Sequence, residues 1–232
     1  DVYMHNLVKL GDMVEIKGRA VLAGPGILER GVFIGENVYI GGNMSMETQS
    51  FIGDQTVAWS HVDLGPLSRL WGNSMFCSSL SLERNSSIGT FTVTWQHTRL
   101  EEFSRLLGSS VFNGAVDVGK SSSIGYGAHV DAGLNIGKYT TIGRDLKITR
   151  PTVLGPFSRA GDRAINPIDL GLGEEHRITL YGEDGYARIG AGCRVMTFME
   201  AMNRCESPHR PISRAILVGA IGVARVLGLR VI

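Results

Sequence analysis

The stretch that decides the fold runs from Val118 to Ile148 and reads, in blocks of six, VGKSSS IGYGAH VDAGLN IGKYTT IGRDLK I. Every block opens on Val or Ile, the second position is mostly Gly, and the fifth is mostly small. An amphipathic helix repeats near 3.6 residues and a half-buried strand near 2, so neither generates this pattern. A six-residue period predicts a parallel β-helix, in which three blocks close one triangular coil of 18 residues.

The phase can be tested outward from this stretch. Every sixth residue from Met4 to Leu154 falls on an apolar lead, apart from Thr94, and only Thr94 and Ala58 lack a large apolar side chain. Fifth positions carry Ser50, Thr56, Ser68, Ser86, Ser104, Ser122 and Thr140, as expected where a coil turns and space is short. Second positions such as Gly35, Gly53, Gly89, Gly125 and Gly143 relieve steric limits at a corner. The predicted class is all-β: a left-handed parallel β-helix of about eight regular coils, on the order of 40 Å long at ordinary strand spacing, followed by an excursion and a short C-terminal cap. Stability is of solenoid type, each coil burying its faces against its neighbours.

One continuous domain in three parts is expected. Residues 1–154 form the regular β-helix. Residues 155–188, with Pro156, Pro167, Glu174, Glu175 and His176, break the phase and read as an excursion with a short helix or hairpin. Residues 189–232 return as final coils and a cap. Within them, Ile189 (IGAGCR) resumes the hexads, Phe198–Asn203 reads as helix, and the apolar tail Ile216–Ile232 reads as strands closing the open sheet edge.

Composition narrows the function classes. The formal charge of +1 offers nothing to nucleic acid or an anionic membrane. Cys77, Cys193 and Cys205 have no metal-ligand spacing, and their odd number argues for a reducing cytoplasm rather than a disulfide framework. No run reaches membrane-spanning length. The start at Asp1 rather than Met leaves room for residues upstream.

The lattice also sorts the exterior, because residues 18 apart stack in columns. The outward residue just before each lead gives one apolar column, Val21, Tyr39, Val57, Met75, Val93 and Val111, ending in His129 and Lys147. The other two columns are mostly polar. An apolar face of this kind is built to be covered, and the expectation is an oligomer, a homotrimer, with coverage by the 155–188 excursion as the alternative. Beside that face the corner columns carry Trp59, Cys77, Trp95 and Asp131, then His61 and His97. His61 and His97 lie two coils apart, roughly 10 Å, too far to share one metal ion. No metal is expected.

The repeat resembles that of the hexapeptide-repeat transferases over about residues 4–154 and 189–232. That resemblance implies the left-handed coil, a homotrimer with sites in the clefts between prisms, acetyl-CoA as co-substrate, a sugar or nucleotide-sugar acceptor, and His as general base. Mapped onto this chain, the base is His97 or His129, with Trp95, Asp131 and Arg99 at the acceptor. The tail VGAIGVARVLG is similar to the family's CoA-side ending, without its Pro, and implies CoA contacts at Gly190, Ala191, Gly219, Ala220 and Arg225. LGPLSR (Leu64–Arg69) and LGPFSR (Leu154–Arg159) resemble a segment of the acetyltransferase domain of sugar-phosphate nucleotidyltransferases, although Trp71 stands where that family has a second Arg. A non-catalytic scaffold, or the oligomerising domain of such a nucleotidyltransferase, is the competing reading. A β-helical zinc carbonic anhydrase fits poorly, because His61, His97 and His129 lack its close pair.

Overall fold

A computed structural model describes residues 1–4, 7–59, 61–75, 77, 79–130, 133–206 and 209–232. The chain winds into a parallel β-solenoid of about nine turns. One face is a nine-stranded parallel sheet built from two-residue rungs. Its registers step by 18 residues throughout, Ile34 on Ile52, Leu70 on Ile88, Leu106 on Ile124 and Ile142 on Ala160. A second face is held in its middle by single bridges, Met46 to Leu64, Leu82, Leu100 and Val118. The third carries Tyr39, Val57 and Met75 at one end and His129–Val130 paired with Lys147–Ile148 at the other. Among the described residues no helix interrupts the chain before Phe198.

From Leu22 onward the described leads form the core, whereas Met4 and Leu10 at the open first turn are exposed. Leu100, Leu106 and Phe112, the positions on which the phase stands or falls, are buried, as are the two weak leads Ala58 and Thr94. Phe76 lies outside the described residues. The fifth-position hydroxyls do more than save space. Ser68, Ser86 and Ser104 each donate to the carbonyl three residues back, Gly65, Glu83 and Glu101, at 2.7 Å. Each of these carbonyls also accepts from the backbone N–H of the same Ser, so the hydroxyl adds a second bond to a turn that the backbone already closes.

The second-position glycines have a different cause from the one the sequence suggests. Gly89 and Gly143 do not adopt a positive φ. Their requirement is the next coil: a Cβ on Gly89 would lie 2.3 Å from the Gly108 amide nitrogen, and one on Gly143 would lie 2.4 Å from that of Asp162. Close stacking of backbones selects glycine here.

The lattice runs further than Leu154, contrary to expectation. Ala160 sits buried on Ile142, and Ile165 pairs with Lys147. Only there does the chain leave the prism, as strand β1 (Ile165–Leu172), followed by β2 (Arg177–Glu183), β3 (Tyr186–Ala191) and β4 (Arg194–Thr197). These pair antiparallel in order and extend the third face into a meander across the end of the solenoid. Tyr181 is the plug: it is fully buried within the prism core, and Gly161 leaves room for its hydroxyl.

The expected return of hexads at Ile189 is therefore corrected, since Ile189 and its neighbours belong to this antiparallel sheet. The tail is corrected too. Helix α1 (Phe198–Arg204) lies where a helix is expected, closed by a capping box between Thr197 and Glu200. Residues expected as final strands form helix α2 (Pro211–Val226) instead. Its buried positions, Ser213, Leu217, Ala220 and Ala224, follow helical spacing. Of these, Leu217, Ala220 and Ala224 join Ile178, Leu180, Ile189 and Phe198 in a second, smaller core on the far side of the sheet. Only the last residues return to strand-like pairing, where Arg230 bridges Tyr186.

Candidate active site

The corner at Trp95–His97 is one of two places where three successive described non-glycine residues hold positive φ, the other being Ser79–Ser81. Three successive non-glycine residues, Trp95, Gln96 and His97, have φ of 74°, 83° and 36°. Left-handed backbone costs a non-glycine residue about 1–3 kcal/mol and concentrates at functional sites. The buried threonines Thr94 and Thr98 anchor the corner on both sides. What the strain achieves is outward display: Trp95 is 54% exposed, and the His97 ring is half exposed.

His97 is held by a carboxylate. Its Nε2 lies 2.8 Å from Asp117 Oδ1 on the next coil. Asp117 Oδ2 accepts a hydrogen bond from Asn135 Nδ2 at 3.2 Å, one coil further. With Nε2–H directed at Asp117, Nδ1 is the ring nitrogen that can take a proton. Arg99 is committed to Glu83, its Nη2 2.8 Å from the carboxylate, and this pairing holds the guanidinium firmly protonated. Asp117, Asn135, Arg99, Glu101 and Lys138 line a shallow groove of about 320 Å³, floored by Gly119 and Gly137.

The carboxylate beside His97 is one that the sequence reading did not single out. Asp131 lies outside the described residues, and Asp117 supplies the carboxylate. A sequence signal was available: Asp117 follows His97 by one coil plus the two residues that step from a corner to the adjoining face. His129 occupies the opposite end of the apolar column, exposed, beside Lys147. His97 and His129 thus stand on different parts of the prism and are not brought to one point.

The residues expected near CoA are gathered in the cap. Gly190 is buried in β3, where a Cβ would lie 1.8 Å from the Arg159 carbonyl oxygen. Ala191 follows it. Ala220 is buried on the sheet-facing side of α2, whereas Gly219 and Arg225 face outward. The apolar column itself stays open, with Tyr39 41% and Met75 40% exposed and the valines half-buried. Residues 155–164 continue the lattice and 165–188 pack on its end, leaving this flank uncovered. Among the described residues no group of His, Cys, Asp or Glu could hold a metal ion, and no helix is long and apolar enough to cross a membrane.

Fold and site together define a hexapeptide-repeat β-solenoid carrying a His–Asp pair at one corner. No protein-family model matches the chain, and no curated protein matches its sequence. Among solved structures it is similar to a Bacillus cereus protein described as a "putative acetyltransferase", at 10% identity and a TM-score of 0.18, over 98% of this chain and 91% of that one.

Proposed function

We propose that the protein is an acyl-CoA-dependent acyltransferase, using acetyl-CoA, that modifies a hydroxyl or amine of a sugar or nucleotide-sugar with His97 as general base. The observation that carries this reading is the 2.8 Å contact between His97 and Asp117 beside the open groove. A transfer of this kind needs a single base effective near neutral pH. His97 Nδ1 takes the acceptor proton while the acceptor oxygen or nitrogen attacks the thioester carbonyl. The tetrahedral intermediate collapses, the C–S bond breaks, and the proton passes from His97 to the departing thiolate. Asp117 fixes the ring tautomer and stabilises the transient imidazolium, the task a carboxylate performs in other His-centred sites. Trp95 and Arg99 flank the acceptor.

Two further elements complete the reading. The apolar column from Val21 to Val111 is the trimer contact, which places the His97 corner at the edge of an inter-subunit cleft. His129, on the same face, is the second candidate base.

The test is acetyl transfer from acetyl-CoA to a panel of sugars and nucleotide-sugars by the wild type and by His97→Asn, His129→Asn and Asp117→Asn. The expected result is a loss of about 100-fold or more in kcat for His97→Asn, a smaller loss for Asp117→Asn, and little change for His129→Asn. An intact trimer that binds no CoA at millimolar concentration would leave the scaffold reading in its place.

A further inference from the structure

The cap holds a cavity that acyl transfer at the His97 corner does not use. About 320 Å³ of space lies between the meander and the two helices, at the small end of the range for ligand pockets. Its floor is aliphatic: Ile178, Ile189, Ala201 and Leu217 are all 3% exposed or less and belong to the second core, with Met196 beside them. Its rim is charged, carrying Arg194, Arg204 and Arg210 against Glu174 and Glu175.

The rim charges are not equally engaged. Glu174 is spent on the start of α2, accepting from the Ser213 amide at 3.1 Å, the Ser213 hydroxyl and the Ile212 amide. Glu175 pairs with Arg210 at 3.2 Å. Among the described residues Arg194 and Arg204 have no ion-pair partner, and both line the same mouth. An apolar floor under two uncompensated guanidinium groups suits a ligand with an aliphatic body and one anionic head, because Arg binds carboxylates bidentately.

We propose that this cavity is a binding site for a medium-chain aliphatic carboxylate, its chain on Ile178, Ile189 and Leu217 and its head between Arg194 and Arg204. The site is independent of the transfer reaction proposed above and would stand if that reading failed. Binding bridges β4, α1 and α2, so an occupied cavity ties both helices to the sheet.

The experiment is calorimetric titration of the full chain with butyrate, hexanoate, octanoate and octan-1-ol. Saturable binding is expected, tightening about fourfold per added methylene until the floor is filled. Octan-1-ol should bind at least tenfold more weakly than octanoate. Arg204→Gln, at an exposed position, should weaken octanoate about tenfold, leave octan-1-ol unchanged and leave the melting temperature near wild type. His97→Asn should bind octanoate like the wild type. Absence of saturable binding, equal affinity for octanoate and octan-1-ol, no effect of Arg204→Gln, or loss of octanoate binding in His97→Asn would each overturn the proposal; the last would move the ligand to the His97 corner.

Discussion

The solenoid and its cap solve the same burial problem in opposite ways. In the prism, each residue's neighbours are set by adding 18: Ile88 rests on Leu70 below and Leu106 above, and the same rule holds for nine rungs. In the cap, contacts depend on elements unrelated in phase. Tyr181 plugs the prism from β2, while Leu217 and Ala224 of α2 cover the opposite face of the same sheet. Repetition spreads the stability of the prism evenly along its length. The cap concentrates it in a few points where backbone meets backbone. The contrast teaches where each region is fragile and where it has room for function. A lattice tolerates left-handed backbone at its corners because the coils above and below fix it, and His97 is displayed at one of them.

The sharpest break of this contrast is at the seam. Gly190→Val should destabilise the cap by about 4 kcal/mol or more, because its Cβ would lie 1.8 Å from the Arg159 carbonyl oxygen. Denaturant unfolding followed by fluorescence should then show the cap lost before the prism. A single transition shifted as a whole would mean that the two regions form one cooperative unit.

Within the prism, Leu106→Ala should cost about 3 kcal/mol by leaving a cavity, whereas Arg105→Ala, one residue away and facing solvent, should stay within about 0.5 kcal/mol. Similar costs at both positions would contradict the inside–outside alternation. In the cap, Thr197→Ala removes the side-chain cap of α1 and should cost about 1 kcal/mol, read as a shift in the unfolding midpoint.

The smallest effect concerns pH. Burial works against the charge on Glu174, but the Ser213 hydroxyl and the Ser213 and Ile212 amides outweigh it and hold the carboxyl below its ordinary range. A depressed carboxyl stabilises the fold above its unfolded-state pKa, and that contribution disappears as pH falls through the folded-state value. The melting-temperature gap between wild type and Glu174→Gln should therefore be present near neutral pH and close on acidification. A gap that widens at low pH would show that Glu174 does not act as an ionised cap of α2.

How much of this was open to reading from the chain differs between the regions for the same reason. Leads, hydroxyl positions and outward columns follow from counting, so the buried Leu100 and Phe112 and the apolar column were all legible. Asp117 is reachable by the same count, one coil and two residues beyond His97. Ala160 hid the last turn because a small residue gives a weak lead. The tail VGAIGVARVLG reads equally as strand or helix, since an unbroken apolar run carries little period. Helical spacing at Ser213, Leu217, Ala220 and Ala224 decides it once Pro211 is seen to start the helix and Glu174 to cap it.

Residue order alone determined the three-sided coil, its core and the polarity of its flanks, because a local six-residue rule converts position directly into place. Only the folded chain decided the antiparallel end-piece, the helix of the tail, the pairing of His97 with Asp117 and the cavity between sheet and helices. Those features depend on segments that meet without a shared period, and the physics that joins them is packing across distance rather than repetition along the chain.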